Sequence, residues 1–168
     1  MRQVWKKDRT INCTLLPAFI AFALMSAVVA GCSGKAEEAR NITVQEVGEK
    51  ISQAVPLDEM KRGDGDKLQK LYHINAEEVE DFLLYLAPSN VKADEVLVVK
   101  VKDANQAEEI NDSIMKRVDA QEKKFRDYLP DEYAFIENHI VKTKGNYILF
   151  AVSPDVDQIE TAFDKALK

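Results

Sequence analysis

Cysteine is nearly missing from this chain of 168 residues, which has two, Cys13 and Cys32, alongside two histidines and one tryptophan. With Cys13 inside a segment expected to be removed, the processed protein holds one cysteine and no internal disulfide. An exported domain without disulfides must stand on its own apolar core. Histidine is equally scarce: His73 and His139 have no second histidine or cysteine at ligand spacing, so neither a structural zinc site nor a zinc-protease pair is encoded. Also absent are a Gly-x-Ser-x-Gly elbow, a phosphate-binding glycine loop and a dinucleotide fingerprint. No apolar run reaches the roughly 20 residues a helix needs to cross a bilayer. The longest, Leu15 to Ala30, is interrupted by Pro17.

That run is informative for where it stands. Arg2, Lys6, Lys7 and Arg9 precede it, and Val29-Ala30-Gly31-Cys32 closes it. A basic start, an apolar stretch too short to span, and small residues at its end have the form of a secretory signal. The closing four residues read as a lipobox, in which small side chains let a peptidase reach the bond between Gly31 and Cys32 and the thiol accepts a lipid. The expected organisation is a signal peptide over 1–31, a lipid-modified Cys32 with a flexible tether to residue 41, and one domain over 42–168. Cleavage removes four basic residues and one acidic residue from totals of 23 and 29, leaving 19 against 28, a net charge of −9. Phosphate backbones and anionic headgroups repel such a surface, so no nucleic-acid partner is expected and the membrane contact is the lipid on Cys32 alone.

Within the domain the pattern is mixed. Thr43 with Glu46 forms a capping box ahead of Val44, Val47, Ile51 and Val55, and Gly63-Asp64-Gly65-Asp66 forms a turn that caps a second short helix through Leu68 and Tyr72. Asp64 and Asp66 begin like a calcium loop, but Gln69 and Asn75 stand where that loop needs glycine and glutamate, so the turn reads as a cap. Phe82 to Ala87 and Glu95 to Lys102 predict one hairpin. Asp103 and Gln106 cap a long helix with Ile110, Ile114, Val118 and Gln121 or Glu122 on one side, ending near Phe125 to Pro130. Phe135 to Thr143 and Tyr147 to Val152 predict a second hairpin about Gly145, and Ser153 and Pro154 open a last helix.

The fold class is therefore α+β: two N-terminal helices, then ββαββα forming an antiparallel sheet with helices packed on a face. The two ββα stretches suggest a duplication. Val96 to Val101 and Tyr147 to Val152 are apolar on both sides, so either the two N-terminal helices cover the second face or a partner does.

Leu71-Tyr72-His73-Ile74, Val79-Glu80-Asp81-Phe82, Ala93-Asp94-Glu95-Val96-Leu97-Val98-Val99-Lys100, Phe125-Arg126-Asp127-Tyr128-Leu129-Pro130 and Lys144-Gly145-Asn146-Tyr147 together resemble small Gram-positive-type bacterial lipoproteins carrying domain of unknown function 4358. The likeness is read from about Thr43 to the C-terminus. It implies a lipobox joined to one compact domain and brings no reaction, ligand or catalytic residue. It also implies glycine at position 73, where this chain has histidine, so a special backbone role there is not expected. No catalytic residue, cofactor or metal ligand is assigned. The expected function is a non-enzymatic binding or accessory module at the outer face of the cell membrane, with a protein or small-molecule partner. The alternative is an envelope-polymer hydrolase using two carboxylates drawn from Asp58, Glu59, Asp131, Glu132 and Glu137.

Overall fold

The computed structural model describes residues 40–168. The signal segment, Cys13, Gly31, Cys32 and most of the expected tether lie outside the described residues. The described chain forms five helices and one five-stranded sheet. In order these are α1 (Val44–Ser52), β1 (Lys61–Gly63), α2 (Gly65–Tyr72), β2 (Asp81–Leu86), β3 (Glu95–Lys100), α3 (Ala107–Phe125), α4 (Pro130–Glu137), β4 (Ile140–Lys144), β5 (Tyr147–Val152) and α5 (Val156–Ala166).

The helix starts follow the capping chemistry. Thr43 Oγ1 accepts from the Glu46 amide at 3.1 Å while the Glu46 carboxylate accepts from the Thr43 amide at 2.9 Å. That exchange satisfies donors a free helix end would leave bare. Asp64 Oδ1 accepts from the Lys67 amide at 3.0 Å and starts α2. Asp103 and Gln106 form a second capping box on the 3-10 turn that leads into α3. The last helix begins later than the sequence suggests: its N-cap is Asp155, and Ser153 Oγ accepts from the Asp155 amide, capping the turn before it.

One predicted strand is partly a helix. Phe135 to Thr143 reads as a single strand, yet residues up to Glu137 belong to α4 and β4 starts at Ile140. Pro130 occupies the first turn with Asp131 and Glu132 beside it. Those residues favour a helix start strongly enough to carry Phe135 and Ile136 along.

All strand pairs are antiparallel, in the order β1-β2-β3-β5-β4. β3 and β5 are central and every residue in both is buried. On one face Leu97, Val99, Ile148, Phe150 and Val152 pack with Leu68 and Tyr72 of α2, Ile110, Ile114, Val118 and Phe125 of α3, and Ile136 of α4. On the other, Leu83, Val96, Val98, Leu149 and Ala151 pack with α1 and α5. The two-sided apolarity thus marks a sheet covered on both faces. Helices cover the second face, one of the two expected alternatives, and the correction lies in which: the two N-terminal helices part company, α1 to the second face with α5 and α2 to the first with α3.

That layering also removes the suggested duplication. A two-fold axis normal to the sheet between β3 and β5 would exchange the two hairpins and leave their helices on one face. Instead α3 and α5 lie on opposite faces. No helix among the described residues is long and apolar enough to cross a membrane.

Candidate functional site

Strand periodicity sends Glu95, at the head of β3, to the same face as Leu97 and Val99. Helix periodicity brings Arg117 and Gln121, four residues apart on α3, beneath it, and α2 ends with Tyr72 against the same spot. Glu95 is 1% exposed. The Arg117 guanidinium holds it through Nε at 3.2 Å from both carboxylate oxygens and through Nη2 at 2.7 Å from Oε2. Gln121 Nε2 donates to Oε2 at 2.6 Å, and the Tyr72 hydroxyl donates to Oε1. Burial, reinforced by the Glu95 charge, pushes the Tyr72 phenol well above its ordinary pKa, so it remains a donor. Burial opposes the Arg117 charge, yet its bond to Glu95 and the Glu95 charge leave its pKa raised. Gln121 Oε1 is buried without a partner. Turning the amide over would set that oxygen against the carboxylate, which fixes the orientation seen.

This network floors a cleft of about 430 Å³ between β1, α2, the β2–β3 loop and the C-terminal half of α3. Seven basic side chains line it (Lys61, Arg62, Lys67, Lys70, Lys92, Arg117 and Lys124) against two acidic ones, Asp94 and Glu95. In a chain of net charge −6 this is a strong local reversal of sign. Glu95 is already spent on Arg117. Among the described residues, no carboxylate stands at ion-pair distance from Lys61, Lys67, Lys70 or Lys124. Low-dielectric walls lined by one sign of charge concentrate the field in such a cleft.

The loop forming one wall is held in place. Glu132 of α4, itself buried, accepts from Lys92 Nζ at 2.6 Å and from the Ala93 amide at 2.8 Å. The Ala87 amide donates to the Asp94 carbonyl across the base of the loop at 2.8 Å. The hydrogen bond and charge of Glu132 hold the Lys92 pKa above the usual lysine value. Asp94, half-buried, has its pKa raised by burial and then by the Glu132 charge.

The residues singled out from sequence fall elsewhere. His73 is exposed, and His139 is half-buried just before β4, with Nδ1 2.7 Å from the Ile136 carbonyl and its ring tilted against Phe150. Asp64 is used as a helix cap. Of the five acids considered for a catalytic pair, Glu132 is taken up by Lys92 and Ala93, while Asp58, Glu59, Asp131 and Glu137 are exposed. Among the described residues no group of three or more His, Cys, Asp or Glu side chains converges as a metal site. The cleft itself escapes sequence reasoning because its five lysines come from four separate segments and alternate with aspartates, as in Lys61-Arg62-Gly63-Asp64-Gly65-Asp66-Lys67. Glu95, an acid placed inside the strand that continues Val96-Leu97-Val98-Val99, is the one readable signal.

The far end of the sheet receives the incoming chain. The Tyr147 hydroxyl accepts from the Ile42 amide at 2.9 Å, Lys100 Nζ donates to Asn41 Oδ1 at 2.8 Å, and the Arg40 amide donates to the Leu167 carbonyl at 3.1 Å. Lys100 closes β3, and Glu95 opens it. The cleft and the chain's point of arrival therefore lie at opposite ends of one strand, about 17 Å apart at some 3.4 Å per residue.

A family model described as a domain of unknown function, DUF4358, matches residues 53–153. The match is shorter than the stretch read from sequence, leaving α1 and α5 outside it while containing every residue that lines the basic cleft. No curated protein and no solved structure matches the chain.

Proposed function

The chain belongs to the DUF4358 family, and from that footing we propose that it is a lipid-anchored, extracytoplasmic binding module of a Gram-positive-type lipoprotein, tethered through Cys32. The observation that carries this reading is the basic cleft at the end of the sheet remote from Asn41. Within the domain the cleft lies at the opposite end of β3 from the point where the chain enters, so a tether arriving at Asn41 leaves it unobstructed. Binding rather than hydrolysis is favoured by the state of Glu95. Both of its oxygens are engaged by fixed donors, so it has no free valence for a substrate proton. The site attracts and orients; its buried acid serves as a brace.

The test is fractionation and mass spectrometry of the full chain expressed in a bacterium that processes lipoproteins. The expected result is membrane residence and an N-terminus at Cys32 carrying a diacylglycerol mass. Cys32→Ala should release the protein from the membrane and abolish the added mass. A Cys32→Ala chain that stays on the membrane at the native level overturns the tether.

A further inference from the structure

We infer that the basic cleft is a receptor site for a soluble or polymer-borne ligand carrying two or more linked phosphate groups and no nucleobase. This rests on the binding-module reading and names its ligand class.

The multiplicity follows from the charge and its spread. The lining carries five more basic than acidic side chains, and they reach from α2 across the floor to α3. A single monovalent ion placed against Lys67 and Lys70 would leave Lys124, on the other wall, uncompensated. The volume, about 430 Å³, lies in the range of small-molecule sites. The ligand that neutralises such a cleft is therefore compact and multiply charged.

Phosphate is preferred to carboxylate by the kind of cation. The mouth is built from lysines, which act as point charges on flexible stems and suit charge spread over several oxygens. Lysine is an established phosphate binder in this point-charge manner, whereas a planar carboxylate gains most from a bidentate fork, which this mouth does not offer. The two arginines are already committed: Arg117 to Glu95, and Arg62, through both terminal nitrogens at 3.2 Å, to Gln45 Oε1. At the rim, Ser89 and Asn90 are exposed, and their side chains make no hydrogen bond among the described residues. They suit ester or hydroxyl oxygens of the same ligand.

A nucleotide is disfavoured because base recognition in such sites relies on aromatic stacking. The only aromatic side chain lining the cleft is Phe125, and it is buried at 1% exposure. A phospholipid headgroup has suitable chemistry, but it comes embedded in an anionic surface that the chain's net charge of −6 repels.

The experiment is calorimetric titration of the full-length chain in a non-ionic detergent with inorganic tripolyphosphate. Citrate serves as a carboxylate control, and separate arms use phosphatidylcholine vesicles with and without phosphatidylglycerol. The expected result is saturable tripolyphosphate binding that weakens as salt is raised, with citrate at least tenfold weaker. The exposed pair Lys67→Ala/Lys70→Ala should weaken binding about tenfold, on the scale of losing two solvent-exposed ion pairs. Asp94→Asn, which removes a negative charge from the lining, should tighten it. Lys50→Ala/Lys165→Ala, in the separate groove between α1 and α5, should leave it unchanged. The assignment is overturned by no saturable binding, by indifference to the Lys67/Lys70 change, or by citrate binding as tightly. Preference for phosphatidylglycerol vesicles over tripolyphosphate overturns the soluble or polymer-borne source. A chain that binds tripolyphosphate but is not lipidated refutes only the tether, and a lipidated chain that does not bind refutes only the ligand class.

Discussion

Glu95 and Arg117 show how unevenly two halves of one ion pair can be embedded. The Glu95 side chain is 1% exposed and that of Arg117 is 19%. Removing the cation strands a charge that has no route to water, whereas removing the anion leaves a guanidinium that keeps partial contact with solvent. Arg117→Met should therefore cost about 3 kcal/mol or more in urea unfolding, near the usual loss for breaking a buried pair, and Glu95→Gln distinctly less. Equal losses would mean that both groups reach water alike. Position 73 holds a different strain. His73 sits at φ 59 as the residue ending α2, the one non-glycine residue with positive φ among those described. The resemblance to the family implied glycine here, and the backbone explains why: the helix terminates in the left-handed conformation that glycine adopts without a Cβ penalty. The sequence reading, which withdrew any backbone role because histidine stands there, is corrected. His73→Gly should raise stability by about 0.5 kcal/mol, the relief of left-handed strain outweighing the entropy glycine adds to the unfolded chain. Thermal unfolding would check it, and a fall in midpoint would count against strain at this position.

At the level of elements, caps were the most legible feature because their chemistry is local. The boxes at Thr43 and Asp103 and the cap at Asp64 were readable from three or four adjacent residues. The failure at α4 has a local cause as well. Phe135, Ile136, Ile140 and Val141 form a run rich in strand formers, and the helix start at Pro130 lies upstream of it. How closely an element packs is not local, and Gly48 of α1 illustrates it. A Cβ at this position would lie 2.3 Å from Leu83 Cδ2, and Leu83 is 1% exposed in the core of the second face. Gly48→Ala gains about 1 kcal/mol of helix propensity and loses about 1–3 kcal/mol to overpacking, so a net destabilisation of about 1 kcal/mol is expected by denaturant unfolding. A stabilised variant would show that Leu83 can swing aside freely.

For the molecule as a whole, charge acts on two scales. The chain is acidic overall, yet seven of its 23 basic side chains line one cleft at an end of the sheet, where an anion meets an attractive field inside a repulsive surface. The tether proposed here puts the exposed Lys67 and Lys70 on the outer side of the membrane. An amine reagent that does not cross membranes should modify both in intact spheroplasts, as read by peptide mass spectrometry, and tripolyphosphate should protect them. Modification only after lysis would place the domain in the cytoplasm instead.

The sequence by itself determined the α+β class, the capped helix starts and the two apolar central strands. All of these depend on residues near one another in the chain, whose periodicity and capping act over a few positions. Only the tertiary structure decided that α1 and α2 take opposite faces, that α3 and α5 do likewise, and that Lys61, Lys67, Lys92 and Lys124 share one cleft over a buried Glu95. Those outcomes depend on strand order and on which face each helix must cover, and side chains up to sixty residues apart become neighbours only once both apolar faces of the sheet are buried.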